Sequence, residues 1–119
     1  MTLHYEIIND STMPIRFKTA LLDDLHFIER EKPEGLLQVL LFGSLARSDI
    51  NFKSDVDLCL VFSDEIDMNS YEMRVFRGTL RGESTSVETD VVTCTKSQLE
   101  SESCLLYKEI NRDKIILAG

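Results

Sequence analysis

No stretch of this sequence approaches the ~20 consecutive apolar residues of a bilayer-crossing helix, so nothing in it reads as a membrane span. The opening Met1-Thr2-Leu3-His4-Tyr5-Glu6 is no signal peptide. Cysteine is scarce, and Cys59, Cys94 and Cys104 form no C-x-x-C pair. That argues against a zinc site or a disulfide framework and for small buried thiols in a reduced, cytoplasmic protein. Basic residues are also short: 13 Lys plus Arg stand against 21 Asp plus Glu, a formal net charge of -8. Gripping nucleic acid needs clustered Lys and Arg, so direct nucleic-acid binding is not expected. The charge suits metal cations or a basic protein partner better. There is no internal repeat, linker or low-complexity segment. What remains is one domain, 1–119, with 43% hydrophobic residues to build its core.

Residues 2–9 alternate loosely and read as a short strand or tail. Ser11-Thr12-Met13-Pro14 signals a helix start, a hydroxyl cap with proline in the first turn. Phe17, Leu21, Leu25 and Ile28, with Leu22 beside them, then recur at helical spacing until Pro33 and Gly35. Asp23-Asp24 and Glu29 to Glu31 fall on the outer face of that helix. Leu36 to Phe42 is nearly all apolar, a strand buried on both faces. Asp55 to Phe62 is a second strand. Tyr71 to Leu80 is helical, with Met73, Phe76 and Leu80 facing the core, and Gly82-Glu83-Ser84 ends it. Ser86 to Thr95 is a β-branched third strand. Helices over 95–100 and 104–111, capped by Thr95 and Ser103, precede a last short strand within 114–118. The order predicts an α/β (α+β) fold, a single mixed β-sheet flanked by helices.

Chemistry concentrates where the first two strands meet a turn. The apolar run into Phe42 leads to Gly43-Ser44-Leu45-Ala46-Arg47, and after a ten-residue gap beyond Ser44 comes Asp55-Val56-Asp57. A glycine turn presents backbone N–H groups to a phosphate, and Ser44 and Arg47 add a hydroxyl and a guanidinium. Carboxylates at i and i+2 on a strand point the same way and can share hard cations, two Mg²⁺ ions for example. Asp90 opens the apolar part of the third strand and, if that strand neighbours the second, joins the pair. Glu88 shares its face and is the rival. The combination describes a site for a metal-bound nucleoside triphosphate.

On these residues the chain resembles the nucleotidyltransferase superfamily related to DNA polymerase β. That family's pattern is an apolar residue, Gly, Gly or Ser, a gap, then Asp-x-Asp. The short Gly-Ser-x-Ala-Arg form and the Leu105 to Ile116 tail are similar to the minimal nucleotidyltransferases. The resemblance implies a nucleotidyltransferase fold, metal ligation by Asp55, Asp57 and Asp90, and phosphate contacts from Gly43, Ser44 and Arg47. It implies ATP as donor, transfer of AMP to a hydroxyl, and a HEPN-type toxin as partner, modified on a tyrosine in an antitoxin role. An antitoxin acting by binding alone, or transfer to a small molecule such as an aminoglycoside, remain alternatives. The chain departs from the pattern after Arg47, where family members often carry glycine and this sequence has Ser48. It also lacks a second domain for an acceptor, which points to another protein as acceptor.

Other charged residues read as surface. Arg74, Arg77 and Arg81 recur on one helix and could touch a triphosphate, yet fit a solvated basic face. His4 and His26 are too isolated for a metal site. Asp64, Glu65 and Asp67 read as a solvated acidic loop.

Overall fold

The computed structural model describes residues 1–83 and 87–119. Ten elements follow in chain order: α1 (Tyr5–Asn9), α2 (Ile15–Glu31), β1 (Leu36–Phe42), α3 (Gly43–Ala46), β2 (Val56–Phe62), α4 (Tyr71–Glu83), β3 (Thr89–Thr95), α5 (Lys96–Ser101), α6 (Leu105–Asp113) and β4 (Ile115–Ala118). The strands form one mixed sheet in the order β3-β2-β1-β4. β1 runs antiparallel to both β2 and β4, and β2 runs parallel to β3.

Both faces of the sheet are covered, which is why β1 and β2 read as almost unbroken apolar runs. One face carries Val39, Leu41, Val56, Leu58, Leu60 and Phe62 against Phe17, Leu21, Leu25 and Ile28 of α2 and Leu80 of α4. Each such side chain contributes roughly 1.5–3 kcal/mol by leaving water. Leu40, Phe42, Cys59, Val61 and Cys94 face the other way and meet Leu99 of α5 and Ile110 of α6. The face opposite the main core is therefore a second, smaller core, and Asp57 stands at its rim. The Cys59 and Cys94 thiols lie buried 3.6 Å apart, while Cys104 is exposed.

Several local expectations are corrected. Residues 5–9 form a helix, and only Leu3 pairs strand-fashion, bridging to Ala118. Pro14 itself is the N-cap of α2, its carbonyl accepting the N–H of Phe17 at 3.0 Å, with no hydroxyl cap. α2 stops as Lys32 turns left-handed at φ 46 and Pro33 follows. α4 continues through Gly82 to Glu83, and β3 begins at Thr89. The expected stop at Ser84 and strand start at Ser86 lie outside the described residues. Thr95 caps α5 in a reciprocal box with Gln98, as its spacing predicts. α6 is preceded by Cys104 with no side-chain cap, so Ser103 does not serve.

Two acids expected in solvent do structural work. Asp24 is completely buried on α2 and accepts a hydrogen bond from the Thr89 hydroxyl at 2.8 Å. Asp64 accepts from both the N–H and the hydroxyl of Ser97, holding the first turn of α5. These bonds keep the Asp64 carboxyl below the usual carboxylate range.

Candidate active site

Strand register assembles the site. Phe42 pairs with Asp57 across β1 and β2, and Asp57 pairs with Asp90 across β2 and β3. In a parallel pair, registered residues share a face, so Asp57 and Asp90 stand side by side one strand spacing, about 4.8 Å, apart. Asp55 lies just before β2, two residues from Asp57. The sheet ends here because β1 gives way to α3 directly after Phe42.

Gly43 makes that junction possible. Its φ is +73, a region that side chains disfavour, and a Cβ there would collide with the Asp57 carboxylate. The glycine turn and Asp57 are thus in van der Waals contact. α3 is a single turn. The Arg47 N–H donates to the Gly43 carbonyl at 3.1 Å, and the Asp49 N–H donates to the Ser44 carbonyl at 2.9 Å. The first N–H groups of such a turn lack intrahelical partners and point outward. Ser48, where family members often have glycine, sits at φ 59. The position is left-handed, which explains the preference for glycine and makes serine a strained substitute.

The electrostatics follow the geometry. The Asp57 carboxyl is pushed up to about 6, first by burial, then by Asp90 and Asp55; Arg47 opposes the shift. Asp55, Asp90 and Arg47 therefore all act on one group. Among the described residues, however, no three His, Cys, Asp or Glu side chains are gathered ready to hold a metal ion. The three carboxylates share a patch without closing on one point, as like charges on rotatable side chains do. The donor set still fits a hard cation, being all carboxylate oxygen with an unfavourable mutual repulsion that a cation would relieve. Asp90 is exposed, whereas Asp55 and Asp57 are half-buried.

The structure brings Asp55, Asp57, Asp90, Gly43, Ser44 and Arg47 to one end of the sheet. Glu88 is exposed and its carbonyl accepts the Val56 N–H at 2.9 Å, so its backbone fixes the start of β2. Arg77 lies on the opposite face, donating to the Thr93 hydroxyl at 3.0 Å. Arg74 is exposed, and the side chain of Arg81 is outside what is described. His26 packs against Tyr5, with ring centroids 5.3 Å apart. Two neighbours of the site escape sequence reasoning. Thr89, bonded to buried Asp24, pins the strand start beside Asp90. Asp113, the last residue of α6, forms an ion pair with Arg47 at 2.9 Å. The one available hint is its place: an acid in the last turn of a helix opposes the helix dipole and needs a compensating cation.

The family described as "Polymerase beta, Nucleotidyltransferase" matches residues 26–118. Among solved structures, a toxin-antitoxin crystal structure with AMP-PNP aligns at TM-score 0.57 and 22% identity, covering 80% of this chain and 69% of that one. A minimal nucleotidyltransferase aligns at TM-score 0.57 and 22% identity, covering 88% and 97%. A nucleotidyltransferase from Sulfolobus solfataricus aligns at TM-score 0.52 and 18% identity, covering 89% and 88%. At these identities the structural likeness speaks for the fold. No curated protein sequence matches. With most of its length matched, and with its glycine turn and paired aspartates meeting at the end of the sheet, the chain belongs to the polymerase beta nucleotidyltransferase family.

Proposed function

We propose that the chain transfers AMP from ATP to a hydroxyl of a protein partner, a tyrosine of a HEPN-type toxin, and so acts as its antitoxin. The observation that carries the transferase half is the contact of Gly43 with an Asp57 whose carboxyl feels both Asp55 and Asp90. Asp55 and Asp57 offer oxygen ligands on one side of the β2 start. Asp90, the most exposed of the three, stands where an incoming hydroxyl can reach it and give up its proton. Gly43 leaves room for a phosphate to approach the backbone, and Ser44 and Arg47 supply a hydroxyl and a positive charge to the same place. Two Mg²⁺ ions on the three carboxylates would polarise the phosphoryl oxygens and steady the departing pyrophosphate. The bond formed joins the acceptor oxygen to the α-phosphorus, and the bond broken releases pyrophosphate.

The partner half rests on two supports. One is the fold shared with the antitoxin-bearing structure that carries AMP-PNP. The other is the net charge of -8, which steers a basic protein toward the chain more readily than RNA. No helix among the described residues is long and apolar enough to cross a membrane. Co-expression with the product of the adjacent gene, followed by intact-mass measurement with ATP and Mg²⁺, tests both halves. Mass steps of one adenylyl group on the partner, absent with Asp55→Asn/Asp57→Asn, are the expected result. A stable complex with no mass change would replace transfer by binding alone. Transfer to an aminoglycoside or another small molecule, without a complex, would remove the antitoxin role and keep the chemistry.

A further inference from the structure

Arg47 and Asp113 lie 66 residues apart in sequence and meet at 2.9 Å. The meeting is built into the sheet. Ile115 of β4 pairs with Leu41 of β1. Asp113 lies two residues before Ile115, and Gly43 lies two residues after Leu41. The antiparallel pairing therefore carries the end of α6 to the side of α3, and these two helices touch. A short terminal strand thereby delivers a carboxylate to the arginine of the glycine turn.

Asp113 is suited to hold that arginine rather than to exchange it for solvent. Its side chain is only 7% exposed, while that of Arg47 is 44% exposed. Arg112 grips the same carboxylate through Nε at 2.8 Å and Nη2 at 3.1 Å. The Asp113 carboxyl is pulled down to about 2 by its bonds to Arg112 first and Arg47 second, so it stays charged at every working pH. An acid at a helix C-terminus is unfavourable by itself, and two guanidinium groups offset that cost. Arg47, left alone, would be free to turn toward the Asp57 carboxylate, on which its charge already acts. A guanidinium lying on those oxygens would compete with any cation for them.

We propose that Asp113 is a positioning residue. It holds the Arg47 guanidinium beside the Gly43–Ser44 turn, where it meets the triphosphate, and away from the carboxylates that a cation needs. The inference rests on the nucleotide reading above and names the device that orients its phosphate contact.

The test is calorimetric titration of ATP with Mg²⁺ into the full chain and four variants, with thermal melts alongside. Arg47→Ala is expected to weaken binding about tenfold, the loss of one charge-assisted contact. Asp113→Ala is expected to weaken it about fivefold, and Asp113→Asn less, because the amide oxygen still accepts a hydrogen bond. The deciding result is the double variant. If Asp113 acts through Arg47, Arg47→Ala/Asp113→Ala binds no more weakly than Arg47→Ala alone. A purely structural Asp113 gives losses that multiply, and that outcome overturns the proposal. Unchanged or tighter binding in Asp113→Ala overturns it as well, the second by showing that the pair restrains Arg47 from the nucleotide. Should Asp113→Ala fail to fold, Asp113→Asn carries the same comparison. Absence of binding by the unaltered chain would overturn the nucleotide reading itself, and this device with it.

Discussion

Gly43 and Asp57 are in contact across the β1–β2 end, and a Cβ at position 43 would sit 3.0 Å from the Asp57 Cγ and closer still to its oxygen. Sequence separation hides this relation, because thirteen positions intervene; register creates it, because Phe42 pairs with Asp57. Gly43→Ala must therefore pay twice, for a left-handed φ and for the displaced carboxylate. The expected loss is about 2 kcal/mol or more, read as a lower urea midpoint, together with lost ATP binding. A folded, binding Gly43→Ala protein would show that the contact is slack.

Asp57 gives a pH signature with a definite sign. Burial first, then Asp90 and Asp55, push its carboxyl in the folded chain from the ordinary aspartate range near 3.8 up to about 6. The folded chain then holds this proton more tightly, so the contribution favours folding below pH 4 and is lost as pH rises through 6. A shift of that size is an upper bound of about 3 kcal/mol, and screening of a half-buried side chain leaves about a third of it, about 1 kcal/mol. Asp57→Asn, which imitates the neutral form, should be more stable than the unaltered chain by about 1 kcal/mol at pH 7.5 in chelator, and indistinguishable from it near pH 3.5. Equal differences at both pH values would contradict the charge argument.

Much of this was legible in the sequence because local rules and tertiary demands agree there. Val39 to Phe42 and Leu58 to Phe62 are buried on both faces, and their apolar runs say so, although Leu37 near the start of β1 is exposed. Phe17, Leu21, Leu25 and Ile28 mark α2 by spacing alone. Where the reading failed, a partner distant in sequence decided the outcome. Asp24 looks like a surface acid until Thr89 arrives from β3, and Asp64 looks solvated until the start of α5 docks on it. Asp113 is invisible beside Arg47 until β4 pairs with β1. Residues 5–9 form a helix whose Ile8 packs into the main core, although five residues carry too short a pattern to announce one.

Ser48 tests the reading of the family pattern. Its φ of 59 costs a side-chain-bearing residue about 1–2 kcal/mol relative to ordinary backbone. Glycine removes that strain but adds about 0.5–1 kcal/mol of unfolded-chain entropy to overcome. Ser48→Gly should therefore stabilise by about 0.5 kcal/mol and raise the melting temperature by a few degrees. A lower melting temperature would mean that the hydroxyl or Cβ makes contacts outweighing the strain.

Thr89 anchors the strand that carries Asp90. Thr89→Val keeps shape and β-propensity but removes the donor to buried Asp24. Stability should fall by about 1–3 kcal/mol, the cost of leaving a buried acceptor short of a donor. Since Thr89 sets the position of its neighbour, ATP turnover should fall as well, while Asp24→Asn, which still offers an oxygen, should be milder. A neutral Thr89→Val would place the anchoring elsewhere.

The last prediction joins the repulsion among the acids to the cation they would hold. Without metal, Asp55 and Asp90 destabilise the charged Asp57, so Asp55→Asn/Asp57→Asn should melt above the unaltered chain at pH 7.5 in chelator. A bound cation reverses the account by favouring the folded state in proportion to RT ln(1 + [L]/Kd), about 2.7 kcal/mol at a hundredfold excess over Kd. That exceeds the roughly 1 kcal/mol gained by neutralising Asp57. Mn²⁺ with ATP should therefore raise the melting temperature of the unaltered chain and leave the double variant almost unmoved. The rank order of the two proteins should invert between chelator and Mn²⁺. Inversion is a stricter test than a shift, because nonspecific cation binding to a chain of net charge -8 would raise both curves together. Parallel rises would assign the cation to the general acidic surface and leave Asp55 and Asp57 without a metal-binding role.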